Sequence, residues 1–409
     1  MNLISHLEMN DSVRESTLAT LPTDISQPTT LPTFRRTLGS LSAYRHAFLN
    51  CGITGILVGC ILAALLCLRC HLPLLTMGAI VAASITIFLA LTMATKILVG
   101  HELIIYYHHE IAVLSGVALF LRLLHQPVLP YLDITVLGLG VFLACGRIGC
   151  LLVGCCHGRP CRWGITYHVH HAAAGFTPYY VGIPLFPVQA LESLFALAIV
   201  AFGVCRVLLG SAPGSAFTWY VIAYGFGRFC FEFLRGDPDR PYFFGFSEAQ
   251  WTSLILMSLT VSSEFSWALP RRPWHLGITL ALVFLMIAVS VHRRFRETAT
   301  HWILHPRHIR EVARALEYAT ESRSRFKPEI RVGCTSLGIQ ISSAAADNSA
   351  GEICTHYCLS RRGQPMTLDA AATLASVICR LQHHPPQFRL ISGNNHVFHC
   401  VILRQAQAA

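Results

Sequence analysis

Charge is scarce in this sequence. Asp, Glu, Lys and Arg make up 13% of the 409 residues against 53% hydrophobic ones, whereas a soluble globular chain carries about 25% charged residues. A wholly soluble protein is excluded on that ground, and the mean hydropathy of +0.52 agrees. Alternation of apolar and polar residues is also missing from the apolar runs, which excludes the strands of a membrane β-barrel. Residues 1–40 contain no basic stretch leading into an apolar one. They are rich in Ser, Thr and Pro, a composition that predicts a disordered tail rather than a signal peptide. The formal charge of +10 is carried almost wholly by arginine at the flanks of apolar runs, where it anchors topology. No aromatic residues interleave with it, so no nucleic-acid partner is expected. The sixteen cysteines form no disulfide framework. Most lie inside apolar runs, where Cys acts as a small hydrophobe. The polar C-terminal region holds an odd number, Cys334, Cys354, Cys358, Cys379 and Cys400, which fits a reducing compartment better than an oxidising one.

What the sequence does have is a series of continuous apolar runs, at 52–68, 74–95, 103–124, 134–155, 186–209, 216–234, 248–262 and 274–291. Most approach the 17–25 residues that a membrane span requires; the run at 248–262 is short enough for a half-span. They predict an all-α polytopic membrane protein with seven or eight transmembrane helices. After Val291 the composition turns polar. A helical pattern at 307–323, strand-like segments VGCTSLGIQIS and FRLISGNNHVFHCVILR, a helix at 367–382 and a turn at Gly393-Asn394-Asn395 predict a small soluble α+β domain. The chain therefore divides into a tail (1–40), a membrane domain (41–295) and a C-terminal domain (296–409) whose role is not legible.

The densest chemistry lies in YGFGRFCFEFLRGDPD, residues 224–239. At 100° per residue, Tyr224, Arg228, Glu232 and Arg235 fall within about 80° of one another on a helix. Each charge at mid-membrane costs roughly 2.5–3.5 kcal/mol, so this stripe calls for an anionic partner. A second segment, ACGRIGCLLVGCCHGRP at 144–160, embeds Arg147 among apolar residues between Gly146 and Gly149. Glycines there allow a backbone or headgroup to approach closely; the plain alternative is an arginine snorkelling to the interface. Gly154, Gly158, Arg159 and Pro160 look like a turn out of the membrane. Cys155, Cys156, His157 and Cys161, followed by His168, His170 and His171, offer metal ligands without the spacing of a zinc ribbon. Cys67, Cys70 and His71 match a short haem-attachment spacing beside Pro73, in isolation. Gln189 and Glu192 lie three apart on one helix face after Pro187, suited to a headgroup or to another helix. His108 and His109, beside Tyr107 and Glu110, suit proton transfer near neutral pH or a passive interfacial place.

Together these residues resemble the prolipoprotein diacylglyceryl transferase family of bacterial inner-membrane enzymes, over about residues 42–262. The resemblance rests on G-R-x-G at 146–149 continuing into Gly154, Gly158, Arg159 and Pro160. It rests equally on Tyr224, Gly225, Arg228, Glu232 and Arg235 with Asp237, which comes one place early. Weaker matches are Pro187, Gln189 and Glu192, and Ser42 with Tyr44, where Arg45 replaces the usual Gly. Departures are Cys150 for the family's Asn, Val153-Gly154-Cys155 for Asn-Gly-Glu, and Tyr107-His108-His109 where the family has two glycines.

The resemblance implies transfer of the diacylglyceryl group of phosphatidylglycerol to the lipobox cysteine of prolipoprotein signal peptides, without cofactor or metal, by a monomer. It implies Arg147 and Arg228 on the phosphate, Glu232 orienting Arg228, and Tyr44 and Tyr224 on the headgroup. Arg235, Gly146, Gly149, Gly154, Gly158, Gln189 and Glu192 complete the binding set, and His108 substitutes as base with His157 behind it. Two other classes remain: a non-catalytic relative that binds anionic lipid or a helix partner, and a metal-binding membrane protein using Cys155, Cys156, His157 and Cys161. An outward N-terminus puts Arg69 and Arg122 inside and the 156–185 loop outside. The Arg293–Arg296 cluster favours the inside, so the C-terminal domain is expected in the cytoplasm.

Overall fold

The computed structural model describes residues 34–100, 105–173, 175–238, 240–295, 302–320, 330–347, 353–382 and 388–403. Of the sequence-predicted tail at 1–40, residues 1–33 lie outside them, and the disorder expected for 34–40 is corrected, because those residues begin the first long helix. Long helices follow the apolar runs: α1 (Phe34–Arg69), α2 (Leu74–Val99), α3 (Tyr106–Leu123) and α4 (Val128–Val153). After a short α5 (Val169–Ala173) come α6 (Val188–Leu208), α7 (Ser215–Phe231), α8 (Glu248–Phe265) and α9 (Pro273–Phe295). Among the described residues, five helices are long and apolar enough to cross a membrane: His46–Arg69, Leu74–Val99, Val128–Val153, Val188–Leu208 and Pro273–Arg293. The remaining apolar runs are also helical, as α3, α7 and α8, but these are shorter and carry charge at Glu110, Arg228 and Glu264. Local chemistry sets the ends. Gly154 stops α4 in the left-handed region at φ 88°, its N–H donating to Cys150 O, a conformation that glycine adopts without a Cβ penalty. Ser247 and Gln250 form a reciprocal capping box at the start of α8.

Helix α4 is the centre of the bundle, with α1, α3, α6 and α7 around it. It packs antiparallel to α1 at backbone distance: a Cβ on Gly59 would lie 2.9 Å from Gly138 O, and one on Gly149 would meet Phe48 and Cys51. Small residues permit such approach where no hydrophobic force drives helices together. Tyr131, Val136, Leu137, Val117, Ala196 and Tyr220 form the buried heart of this core. Cys67 is buried there and donates to Leu72 O, so it packs as an apolar residue.

At one end of the bundle the α4–α6 connection carries the antiparallel pair β1 (Pro160–Thr166) and β2 (Pro184–Leu185), and the α7–α8 connection carries β3 (Tyr242–Phe243) and β4 (Phe246–Ser247). The chain ends in an α+β unit: α10 (Pro306–Thr320), β5 (Val332–Cys334), β6 (Ile339–Asp347), β7 (Ile353–Arg361), α11 (Leu368–Leu381), β8 (Arg389–Ser392) and β9 (Phe398–Leu403). Its five strands are antiparallel in the order β5-β6-β7-β9-β8. The sequence reading found this domain without the β7 strand.

The expectation that the C-terminal domain and the 156–185 loop lie on opposite sides is corrected. The domain's core of Ile309, Val312, Leu316, Tyr357 and Leu374 is continuous with Tyr167, Phe176, Tyr180, Ile183 and Leu185 of that loop. Tyr242 and His305 rings meet at 4.7 Å, Arg307 donates to Arg240 O, and Arg293 at the end of α9 donates to Gly245 O. The positive-inside count misleads because Arg293, which it includes, is tied to a backbone carbonyl of the 236–247 connection.

Asp133 of α4 shows how the bundle is pinned. Its two oxygens accept the N–H groups of Gly214 and Phe217, both at 2.7 Å, at the otherwise uncapped start of α7. A carboxylate there satisfies free donors and complements the helix dipole. Asp133→Ala is expected to cost about 1–3 kcal/mol by leaving both donors unpaired. Thermal unfolding in detergent should show it, with Asp133→Asn falling between the variant and the parent.

Candidate functional site

A cavity of about 690 Å³ opens beside α4, lined by α1, α2, α3 and the polar end of α7. Its wall is apolar except at one end, where Arg147, Arg228, Tyr224, Asp237, Arg240 and Glu248 face it. Ile53, Ile56 and Leu89 of α1 and α2 line it and are about half exposed. The cavity therefore opens sideways, towards the apolar surround of the bundle.

Behind the polar end lies a buried charge cluster. Glu192 of α6 is wholly buried and serves as its hub. One carboxylate oxygen meets Arg147 Nη2 at 3.0 Å, accepts the Tyr224 hydroxyl at 3.1 Å and stands 3.9 Å from Arg228 Nε; the other is 3.9 Å from Arg235 Nη1. Arg228 Nη1 donates to Glu232 Oε2 at 2.8 Å, one helical turn on. Glu232 also takes Arg240, which in turn reaches Asp237 Oδ2 at 2.6 Å, and Arg235 grips Asp237 through two nitrogens at 2.8 and 3.2 Å. Four arginines and three carboxylates leave one positive charge over. Burial alone would raise the Asp237 carboxyl, but Arg235 and Arg240 beside it hold it well below the usual carboxylate range.

The helical stripe predicted from the sequence is real only as far as Arg228. Helix α7 stops at Phe231, a single 3-10 turn covers Glu232–Leu234, and Arg235 is extended at φ −70°, ψ 142°. Asp237 precedes Pro238 and is biased away from helix. Arg235 joins the cluster through backbone pairing: it bridges Gly158, while Gly236 N donates to His157 O at 3.0 Å. A Cβ on Gly236 would lie 2.4 Å from Gly158 O, and one on Gly158 2.4 Å from Phe186 O. Only glycine lets these three segments cross.

Of the other expected residues, Gly146 lines the cavity, whereas Gly149 packs on α1, Gly154 caps α4 and Gly158 serves the crossing. Gln189 donates to Cys155 O at 2.8 Å, and so positions the loop. Tyr44 lies in α1, and its side chain is outside the described residues. His108 sits at the rim, its Nε2 2.8 Å from Glu248 Oε1. His157 is buried with Nδ1 on Gly158 O at 2.9 Å, and burial lowers its pKa. The cysteines regroup. Cys155 and Cys156 come together with Cys150, their sulfurs all within 4.8 Å, and no such group of described residues includes His157 or Cys161. Sequence reasoning missed Arg240, Glu248 and the Cys150 sulfur. The only signal for Arg240 was its place just after the Asp-Pro-Asp turn.

Residues 106–263 match the family model described as prolipoprotein diacylglyceryl transferase. Relatives named phosphatidylglycerol–prolipoprotein diacylglyceryl transferase include one from Clostridium tetani, 36% identical over 130 residues (31% of this chain, 51% of the relative). Another from Dehalococcoides mccartyi is 32% identical over 146 residues (36% and 54%). A protein named phosphatidylglycerol–prolipoprotein diacylglyceryl transferase 2, from Clostridium perfringens, is 38% identical over 111 residues (27% and 42%). The chain spans about half the length of the curated relatives it matches. No solved structure matches it. The resemblance drawn from the motifs is thus shown over α3 to α8, and the motif residues Arg147, Glu192, Arg228, Glu232 and Arg235 all fall inside the matched segment.

Two outcomes test the cluster. Glu192→Ala is expected to cost about 3–5 kcal/mol by stranding buried arginines, and Arg147→Ala made with it should cost less than the sum of the two, as a double-mutant cycle in detergent would report. Asp237, with its depressed folded pKa, stabilises fully above the ordinary Asp value of about 4 and loses that contribution as pH falls through the depressed one. Denaturation at about pH 7 and about pH 3 should therefore separate wild type from Asp237→Asn at the higher pH and narrow that difference only in part at the lower, because the folded carboxyl is still ionised there.

Proposed function

We propose that this chain transfers the diacylglyceryl group of phosphatidylglycerol to the cysteine thiol of prolipoprotein signal peptides, as a monomer in a bacterial inner membrane. The observation that carries this is the arginine-lined end of a sideways-open apolar cavity. A lipid can enter from the bilayer with its chains trailing in apolar surroundings and its phosphodiester against Arg147 and Arg228. The cluster's surplus positive charge matches the single negative charge of that diester. Residues 41–295 form the transferase unit, with eight crossings that return the chain to the side on which it began. The C-terminal domain then lies beside the 156–185 loop on the face where exported substrates arrive.

The reaction explains the arginines. The thiol sulfur bonds to the glyceryl carbon, the carbon–oxygen bond to phosphate breaks, and glycerol phosphate leaves. The leaving group turns from diester into monoester and gains negative charge, so fixed cations stabilise the transition state more than the ground state. Arginine holds phosphate oxygens with a planar fork and stays charged. Arg147 Nε is buried without a protein partner and has a donor to spare. Glu232 and Glu192 fix the guanidinium planes, so little reorganisation is needed during reaction. Tyr224 steadies Glu192. His108, paired with Glu248 of the cavity wall, is the base we assign to the thiol proton.

Purified protein in phosphatidylglycerol vesicles with a lipobox peptide should add a diacylglyceryl mass to the peptide cysteine. Arg228→Ala should lower kcat by about 100-fold or more, the scale of losing one transition-state donor. Full-rate transfer by Arg228→Ala would refute the assignment. Lipid binding with no transfer by the wild type would favour the non-catalytic relative.

A further inference from the structure

Three thiols gather beside the polar end of the cavity, two of them lining it, and the phosphate chemistry uses none of them. Cys150 belongs to the last turn of α4, three residues after Arg147, and Cys155 and Cys156 follow the Gly154 cap. Their sulfurs lie within 4.8 Å of one another. A tetrahedral zinc with bonds of about 2.3 Å needs sulfurs about 3.8 Å apart, a contraction that side-chain rotation can supply. Neighbouring cysteines do not ordinarily aim at one point. Here Cys156 takes a positive φ of 58°, unfavourable for a residue with a Cβ by about 1–2 kcal/mol, and so turns back towards Cys150. Cys150 and Cys156 line the cavity. An ion held by the three would thus present its fourth position to that space.

Resting on the transferase reading of the cavity, we propose that Cys150, Cys155 and Cys156 hold a zinc ion whose open coordination position receives the incoming lipobox thiol. Three soft ligands select zinc or copper(I) over hard cations, and three protein ligands with one open position is the pattern of a zinc that takes part in chemistry. Three thiolates on a divalent ion carry one net negative charge, so the unit is not repelled by Arg147 as a bare cation would be. A thiol coordinated to zinc is deprotonated outright. The substrate thiol gives its proton to solvent or to His108 and binds as thiolate. Its sulfur then bonds to the glyceryl carbon as the carbon–oxygen electron pair leaves with glycerol phosphate. The thioether product, a weaker ligand, dissociates and leaves the zinc with its three cysteines. The site also gives a reason for Cys150 to stand where the family has Asn: that position completes a ligand set.

Elemental analysis of protein purified in detergent without chelator, or supplied with zinc sulfate, should find one zinc per chain. Cobalt(II) exchanged into the site should give a sulfur-to-metal charge-transfer band, lost in Cys150→Ser and in Cys156→Ser. Arg228→Ala should keep the metal while losing transfer, which separates this site from the phosphate assignment. Chelated wild type, which carries no substitution that might impair folding, should transfer about thirtyfold more slowly near pH 7, where only a few per cent of a free thiol is ionised. That deficit should close towards pH 9 and be reversed by added zinc. Zinc-loaded wild type that transfers nothing would leave the metal site standing and defeat the transferase reading. Substoichiometric zinc after reconstitution, a disulfide among the three cysteines, or a metal that survives both serine variants would each overturn the proposal.

Discussion

The structure depends on balancing buried arginine charge. Four guanidinium groups are gathered at the end of an apolar bundle, and the desolvation cost of each is several kcal/mol unless an anion and hydrogen bonds compensate it. Glu192 makes the arrangement possible because it is shared. It lies within 4 Å of Arg147, Arg228 and Arg235 and accepts the Tyr224 hydroxyl. Sharing leaves each guanidinium incompletely neutralised, and that residue of charge is what a lipid phosphate can claim. A cluster with one carboxylate per arginine would be more comfortable and less able to bind an anion. The site's capacity for binding is thus bound up with its imperfect electrostatic satisfaction.

Holding the cluster together requires backbone crossings that a helix bundle alone does not provide. The segment at 157–159 is pinned between Phe186 on one side and Leu234 and Gly236 on the other by main-chain hydrogen bonds near 3.0 Å. Those bonds place Arg235 beside Glu192 although α7 has already ended. The loop is stiffened further from outside, since its Tyr167, Phe176 and Tyr180 share an apolar core with the C-terminal sheet domain. That packing ties the loop that carries Cys155 and Cys156 to the apolar core of the C-terminal domain.

Much of this was legible in the sequence where the controlling physics is local. Arg228 and Glu232 stand out because charges at helical spacing in an apolar run are costly and rare. The motif resemblance found the right helices, and the α+β character of the tail followed from its alternating strands and turn glycines. Other features depend on distant partners. Arg240 and Asp237 join the cluster through a loop closure that no periodicity announces. The β7 strand, ICTHYCLSR, buries Thr355, Tyr357 and Leu359 in alternation, but the Cys, His and Thr mixed into it blunt the apolar contrast that marks a strand in sequence. The side of the C-terminal domain was misjudged because Arg293 of the Arg293–Arg296 cluster counts as a leaflet anchor in sequence but donates to a backbone carbonyl in the fold. Cys150 looked like a lost Asn until its sulfur was seen facing two others.

The shape of the cavity bears on why such a site belongs in a membrane. Attack by a thiol on a glyceryl carbon competes with attack by water, and excluding water both protects the ester-bearing lipid and strengthens every charge interaction within. An opening between α1 and α2, lined by Ile53, Ile56 and Leu89, meets both needs at once. On the proposed reading it would admit a lipid from the side while keeping the approach largely apolar, with the charged destination at the arginine end. On that transferase reading, substrate choice follows from two separate conditions. The chains must be soluble in the surround of the bundle, and the headgroup must carry a phosphate that Arg147 and Arg228 can both reach without disturbing Glu192.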